Sequence, residues 1–178
     1  MKHTLVFAFF LVLSFFKAQE NNPISFSEVV KVDSTRLAAD LFPQAKMWFV
    51  EAFKNSKAVI QMEDLNNKTI IGNASIPYSS RFLIGSGTTV GKITYQISIA
   101  CKDGRYKYDI TNFIHEGKSM SFGYLTTAED PKNKFGPTGT RIKVHKEMKD
   151  IAEREAIILI NALKSFMSQN KVSTKEDW

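Results

Sequence analysis

Cys101 and three histidines, His3, His115 and His145, are the only side chains in the 178 residues that offer thiol or imidazole chemistry. A Cys–His nucleophile pair needs both groups within hydrogen-bond reach of each other. Asp103-Gly104 is a hairpin turn signal. Pairing outward from it sets Lys102 opposite Arg105, Cys101 opposite Tyr106, Ile99 opposite Tyr108 and Ile97 opposite Ile110, and further out Tyr95 opposite Asn112 and Ile93 opposite Ile114. That register puts Cys101 on an apolar face at the turn end. It puts His115 on the polar face, roughly 30 Å away at ~3.3 Å per residue. Cys101 therefore reads as a small buried hydrophobe. His145 beside the segment 117–144 is where a hydrolytic site would have to be built, and no nucleophile–base–orienter set accompanies it.

Other chemistries fail on spacing. A zinc site needs three or four convergent ligands, and the chain has no HxH or HExxH pattern. Gly85, Gly87 and Gly91 resemble a phosphate loop, but Gly91-Lys92 is followed by isoleucine and leads into a strand, not a helix. The Asn67 and Asn73 triplets fit a glycosylation acceptor, a pattern short enough to arise by chance. The expectation is a chain with no catalytic, metal or cofactor residues.

The polar face of the hairpin carries what functional promise remains. Gln96, Ser98, Lys102, Arg105, Lys107, Asp109, Thr111 and Phe113 fall on it, with the cations near the turn and Phe113 as an apolar anchor for a partner. The opposite face is apolar, with Tyr95 and Asn112 as polar handles. An alternative function is then a carrier of an apolar small molecule between that face and the C-terminal helix.

The elements that must position these residues read as follows. Phe26 to Asp33 alternates as a strand. Asp33, Ser34 and Thr35 offer an N-cap to a helix whose face is Leu37, Leu41, Ala45, Trp48, Phe49, Ala52 and Phe53. Pro43 within it predicts a kink or a first turn. Lys57–Glu63 and Thr69–Tyr78 form a strand pair, with Glu63 facing Thr69, Met62 facing Ile70, Ile60 facing Gly72 and Ala58 facing Ala74. Residues 92–102 and 105–115 form the hairpin, 117–144 a Gly- and Pro-containing loop, 145–168 a long helix with Ile158, Leu159, Ala162, Leu163, Phe166 and Met167 on one face, and 169–178 a polar tail.

Residues 1–18 read as a secretory signal peptide: Lys2 and His3, a short apolar core from Leu5 to Phe16, and cleavage between Ala18 and Gln19. The apolar core is too short to span a bilayer, and 19–25 becomes a short linker. The net charge of +6 falls to +4 once Lys2 and Lys17 leave, and 9 of 14 phenylalanines remain. With a mild charge and no dense Lys/Arg run, nucleic acid is not an expected partner. The mature chain has no transmembrane span and is expected in the periplasm or outside the cell, with an unknown protein or envelope component as its partner.

Several phrases carry a resemblance: FSEVVKVDST at 26–35, AKMWFVEAF at 45–53, KAVIQMED at 57–64 and KITYQISIACKDGRYKYDITNF at 92–113. Over residues 24–116 the chain resembles domain of unknown function 4468, a family of exported proteins chiefly from Bacteroidota. The resemblance implies an α+β, TBP-like domain at 26–116. Its curved antiparallel sheet of about five strands, in the order β-α-β-β-β-β-α, has helices packed on one face. It implies no activity, and DNA binding does not follow from the shape. The task left for such a chain is that of a non-enzymatic binding or interaction module of the bacterial envelope.

Overall fold

The computed structural model describes residues 21–80, 82, 90–131 and 137–169. The signal segment with its Ala18–Gln19 cleavage point, two of the phosphate-loop glycines (Gly85 and Gly87) and most of the polar tail lie outside them. Strands β4 (Gly91–Lys102) and β5 (Arg105–Gly117) form the predicted hairpin. β4 continues onto β3 (Thr69–Tyr78), which meets β2 (Ile60–Asp64), and β5 continues onto β1 (Phe26–Lys31). The open antiparallel sheet runs β1-β5-β4-β3-β2, and a two-residue strand β6 (Gly123–Tyr124) adds to β5 beyond the end of β1.

One face alternates Ile93, Tyr95, Ile97, Ile99 and Cys101 on β4 with Tyr106, Tyr108 and Ile110 on β5, all buried. Helices α1 (Ala38–Ala52) and α3 (Thr138–Ser168) cover this face, and a short α2 (Ser56–Val59) leads into β2. Leu41, Ala45, Trp48 and Phe49 of α1 and Val144, Met148, Ala152, Ala156, Leu159 and Leu163 of α3 fill the layer. Ile158 and Ala162 lie off this stripe and are exposed, Ile158 by 63%. The run Ile157-Ile158-Leu159-Ile160 allowed more than one helical face, and packing chose Leu159.

The start of α1 differs from expectation. Asp33 closes a local turn onto Thr35, and Leu37 occupies the cap position without a side-chain bond. The acceptor comes from the hairpin turn instead, where Asp103 Oδ1 takes the Ala38 N–H at 2.7 Å. The same turn is tied to the segment before α1 through Val32 N–H to the Gly104 carbonyl and Gly104 N–H to the Arg36 carbonyl. Gly104 adopts φ +68, and a Cβ there would press on Ser34. Asp103→Ala is therefore expected to cost about 1 kcal/mol. Asp103→Asn, which keeps the acceptor, should lose less, and urea unfolding of the two variants measures the difference.

Three boundaries also move. Residues 56–59 form α2, so Ala58 does not face Ala74. β2 pairs Asp64 with Thr69 and Met62 with Ile71, and a bulge at Gln61 restores Ile60 opposite Gly72. Helix α3 begins at Thr138, seven residues before the expected start. Arg141 in its first turns grips Asp130 through two bonds of 2.7 and 2.6 Å, a tertiary anchor that overrides the weak propensity of Thr138, Gly139 and Thr140. The expected linker is pinned to the loop before α3, since Ile24 N–H donates to the Leu125 carbonyl and Thr127 N–H to the Asn22 carbonyl. Pro43 sits inside α1, past its first turn. At the far end of α3, Arg36 Nη1 and Gln44 Nε2 donate to the Met167 and Phe166 carbonyls, satisfying groups a helix end leaves unpaired.

Candidate functional site

The hairpin register holds from Lys102/Arg105 to Gln96/Thr111 and then slips by one residue. Asn112 is the cause. It takes φ +57, a left-handed conformation that asparagine tolerates better than most residues, and forms a β-bulge. Every β5 residue beyond it changes face. Phe113 is fully buried, stacked on Tyr95 at 5.4 Å and edge-on to Phe26 at 5.9 Å. The expected apolar anchor of the open face is thus a core residue. His115 moves inward with it and is fully buried, while Asn112 turns outward.

The other residues expected on the open face carry exposed or half-buried side chains: Gln96, Ser98, Lys102, Arg105, Lys107, Asp109 and Thr111. The register places Lys31 of β1 beside Arg105, and Arg105 beside Lys102. Lys107 is paired with Asp109 at 2.8 Å. No ion pair within the described residues takes up Lys31, Lys102 or Arg105, so the turn end of the face is cationic. Further along, Asn112 donates to Gln96, and Gln96 to Asn73, making an amide row across β5, β4 and β3. Asn73 and Asn112 were not foreseen as part of this surface, because β3's register and the bulge set them there.

Cys101 and His115 now share the buried face but remain eight residues apart along the ladder, roughly 26 Å at ~3.3 Å per residue. Burial pushes the Cys101 thiol up to about 12, which leaves it protonated and unreactive at neutral pH. The two polar handles proposed for a carrier do not converge. The Tyr95 hydroxyl donates to Glu155 of α3 at 2.9 Å, and Asn112 belongs to the amide row. Phe49, Phe113, Ile97, Ile110 and Met148, all fully buried, occupy the layer a carried molecule would need.

A buried polar cluster, invisible to spacing, joins the end of β3 to α3. Tyr78 Oη and Ser80 Oγ both donate to Glu147 Oε2 at 3.0 Å, and His115 meets the Tyr78 ring edge-on at 5.2 Å. His115 Nδ1 accepts the Phe122 N–H at 3.1 Å, so that nitrogen is not available as a base to Ser80. The serine proton is directed at a carboxylate rather than an imidazole, which makes a structural tie and not a nucleophile triad. The described residues hold no group of three or more His, Cys, Asp or Glu placed to bind a metal. No helix among them is long and apolar enough to cross a membrane.

The family model described as domain of unknown function (DUF4468) with TBP-like fold matches residues 26–116. A TBP-like protein from Parabacteroides distasonis superposes with a TM-score of 0.53 at 14% identity, covering 80% of this chain and 93% of that one. A DUF4468 family protein from Bacteroides ovatus superposes with a TM-score of 0.51 at 16% identity, covering 84% and 89%. No curated protein matches the chain in sequence.

Proposed function

The chain belongs to the DUF4468 family with its TBP-like fold, and from that premise we propose that it is an exported, non-enzymatic binding module of the bacterial envelope. The open sheet face is its interaction surface. The observation that carries this reading is the cationic turn end, where Lys31, Lys102 and Arg105 lie side by side on adjacent strands without acidic partners among the described residues. Such a cluster favours a partner with an acidic surface, and its contribution weakens with salt. The family and its solved relatives name no reaction. The groups that could do chemistry, Cys101, His115, His145 and Ser80, are each buried.

Proximity labelling in the native host tests the proposal. The double charge reversal Lys102→Glu/Arg105→Glu is expected to lose the envelope partners that the wild-type protein labels, with folding unchanged by circular dichroism. An unchanged set of labelled partners would sink the assignment of this surface.

A further inference from the structure

Strand β3 is ten residues long, but β2 covers only Thr69–Gly72 of it. Beyond Gly72 the preceding chain turns into α2, whose Val59 packs against Gly72, and among the described residues no strand pairs with this edge of β3 past that point. The direction of the backbone groups on this edge follows from two observations. The Lys68 carbonyl accepts the Cys101 N–H of β4, so even-numbered residues point inward. Pro77, which lacks an N–H, fits only where that position faces away from the ladder. Asn73 and Ser75 therefore aim their backbone groups at this edge; the pairing of Ile60 with Gly72 gives the Asn73 N–H to the Val59 carbonyl, whereas the Asn73 carbonyl and the Ser75 N–H and carbonyl meet no strand partner among the described residues.

The space beside this edge is shaped. A groove of about 840 Å³ is lined by Asn73, Ala74 and Ser75 in succession. Side chains of consecutive strand residues point to opposite faces, so the groove wraps around the edge itself. On the helix side it meets Phe53, Val59 and Ile158, the last of them 63% exposed. On the open-face side it meets the amide of Gln96. Natural proteins usually protect a strand edge, and here Pro77 limits the exposed stretch without closing it.

We infer that the Asn73–Ser75 edge of β3 is a strand-addition site for an extended peptide segment of a partner protein. The segment carries an apolar side chain toward Phe53, Val59 and Ile158 and small or polar side chains toward Gln96. Main-chain hydrogen bonds to Asn73 and Ser75 supply the affinity, and the two flanks supply the choice of sequence. The inference rests on the reading of the chain as a binding module but not on its cationic turn end, so the two fail separately.

The test is a phage-displayed library of random heptapeptides panned against the protein. Selected peptides should alternate apolar and polar residues. They should bind Ser75→Ala within about threefold of wild type and Ser75→Pro at least tenfold more weakly, since only proline removes the outward N–H while sparing the bonds to β4. Lys102→Glu/Arg105→Glu should leave peptide binding unchanged. Adding a selected peptide should also slow amide exchange at Ser75 in the wild-type protein, a readout independent of how well the proline variant folds. Equal binding by the alanine and proline variants, or no protection at the Ser75 amide, overturns the inference. So does a wild-type dimer that Ser75→Pro dissociates, because the occupant would then be a second copy of the chain.

Discussion

Phe113→Ala is expected to destabilise the protein by about 3–5 kcal/mol. The side chain is fully buried, stacked on Tyr95 and edge-on to Phe26, so truncation leaves a cavity beside Phe26 of β1 and Tyr95 of β4 and removes two ring contacts. Phe113→Leu keeps most of the volume and should cost less than about half as much. Arg105→Glu, on the open face, should stay within about 0.5 kcal/mol of wild type. Urea unfolding of the three variants separates core from surface. A Phe113→Ala protein as stable as Arg105→Glu would return Phe113 to the open face and remove the bulge from the account. The experiment also bears on binding studies, since a partner lost on mutating Phe113 would report unfolding rather than contact.

The misplacement of Phe113 shows what the sequence could carry. The hairpin alternates cleanly around Asp103-Gly104, and its register, its turn and its buried face were legible as far as Gln96 and Thr111. One residue, Asn112, then reverses the facing of all that follows it. Nothing marks it locally, because Asn112-Phe113-Ile114-His115 alternates equally well in either phase. The bulge is decided by the core, where Phe113 fills space between Phe26 and Tyr95 that the straight register would give to Asn112. The same holds for α3. Its apolar second half was readable, while its first turns depend on the Arg141–Asp130 contact across eleven residues. The family and the fold class were legible because they rest on local phrases and strand order. The open edge of β3 was not, because it follows from where β2 stops pairing, and an adjacent apolar run gives no sign of that. Cationic residues near a turn were readable in part, since Lys102, Arg105 and Lys107 follow directly from hairpin geometry, whereas Lys31 joins them through the non-local pairing of β1 with β5.

Acidification from pH 6.5 to about 4 is expected to remove about 3 kcal/mol of stability through His145 alone. The imidazole lies fully buried in α3, and neither ring nitrogen makes a well-formed hydrogen bond. Burial lowers its pKa from 6.5 to about 4, Lys149 one turn on adds to this, and the Glu129 backbone and Asp130 oppose it weakly. Asp130 is in turn held by Arg141, which limits what it can offer a protonated ring. The folded state therefore keeps the ring neutral where the unfolded chain already takes up a proton. Below 6.5 the unfolded state binds more protons, so stability is full above that pH and falls as the pH drops toward 4. It levels off once the folded state also protonates. His145→Met removes the titrating group while keeping an apolar side chain of helical propensity in the layer. Its stability should match wild type within about 1 kcal/mol at pH 7.5, because two poorly satisfied nitrogens leave with the ring. At pH 4.5 it should exceed wild type by about 2–3 kcal/mol. The carboxylates of Asp33 and Asp64, held below their ordinary range by backbone N–H donors, lose their contributions at lower pH than this window, so the difference between the two proteins isolates His145. Urea unfolding at half-unit intervals from pH 7.5 to 4.5 measures it. Parallel curves for wild type and His145→Met would show that the ring is solvated in the folded state and that the loop carrying Glu129 and Asp130 does not close over it.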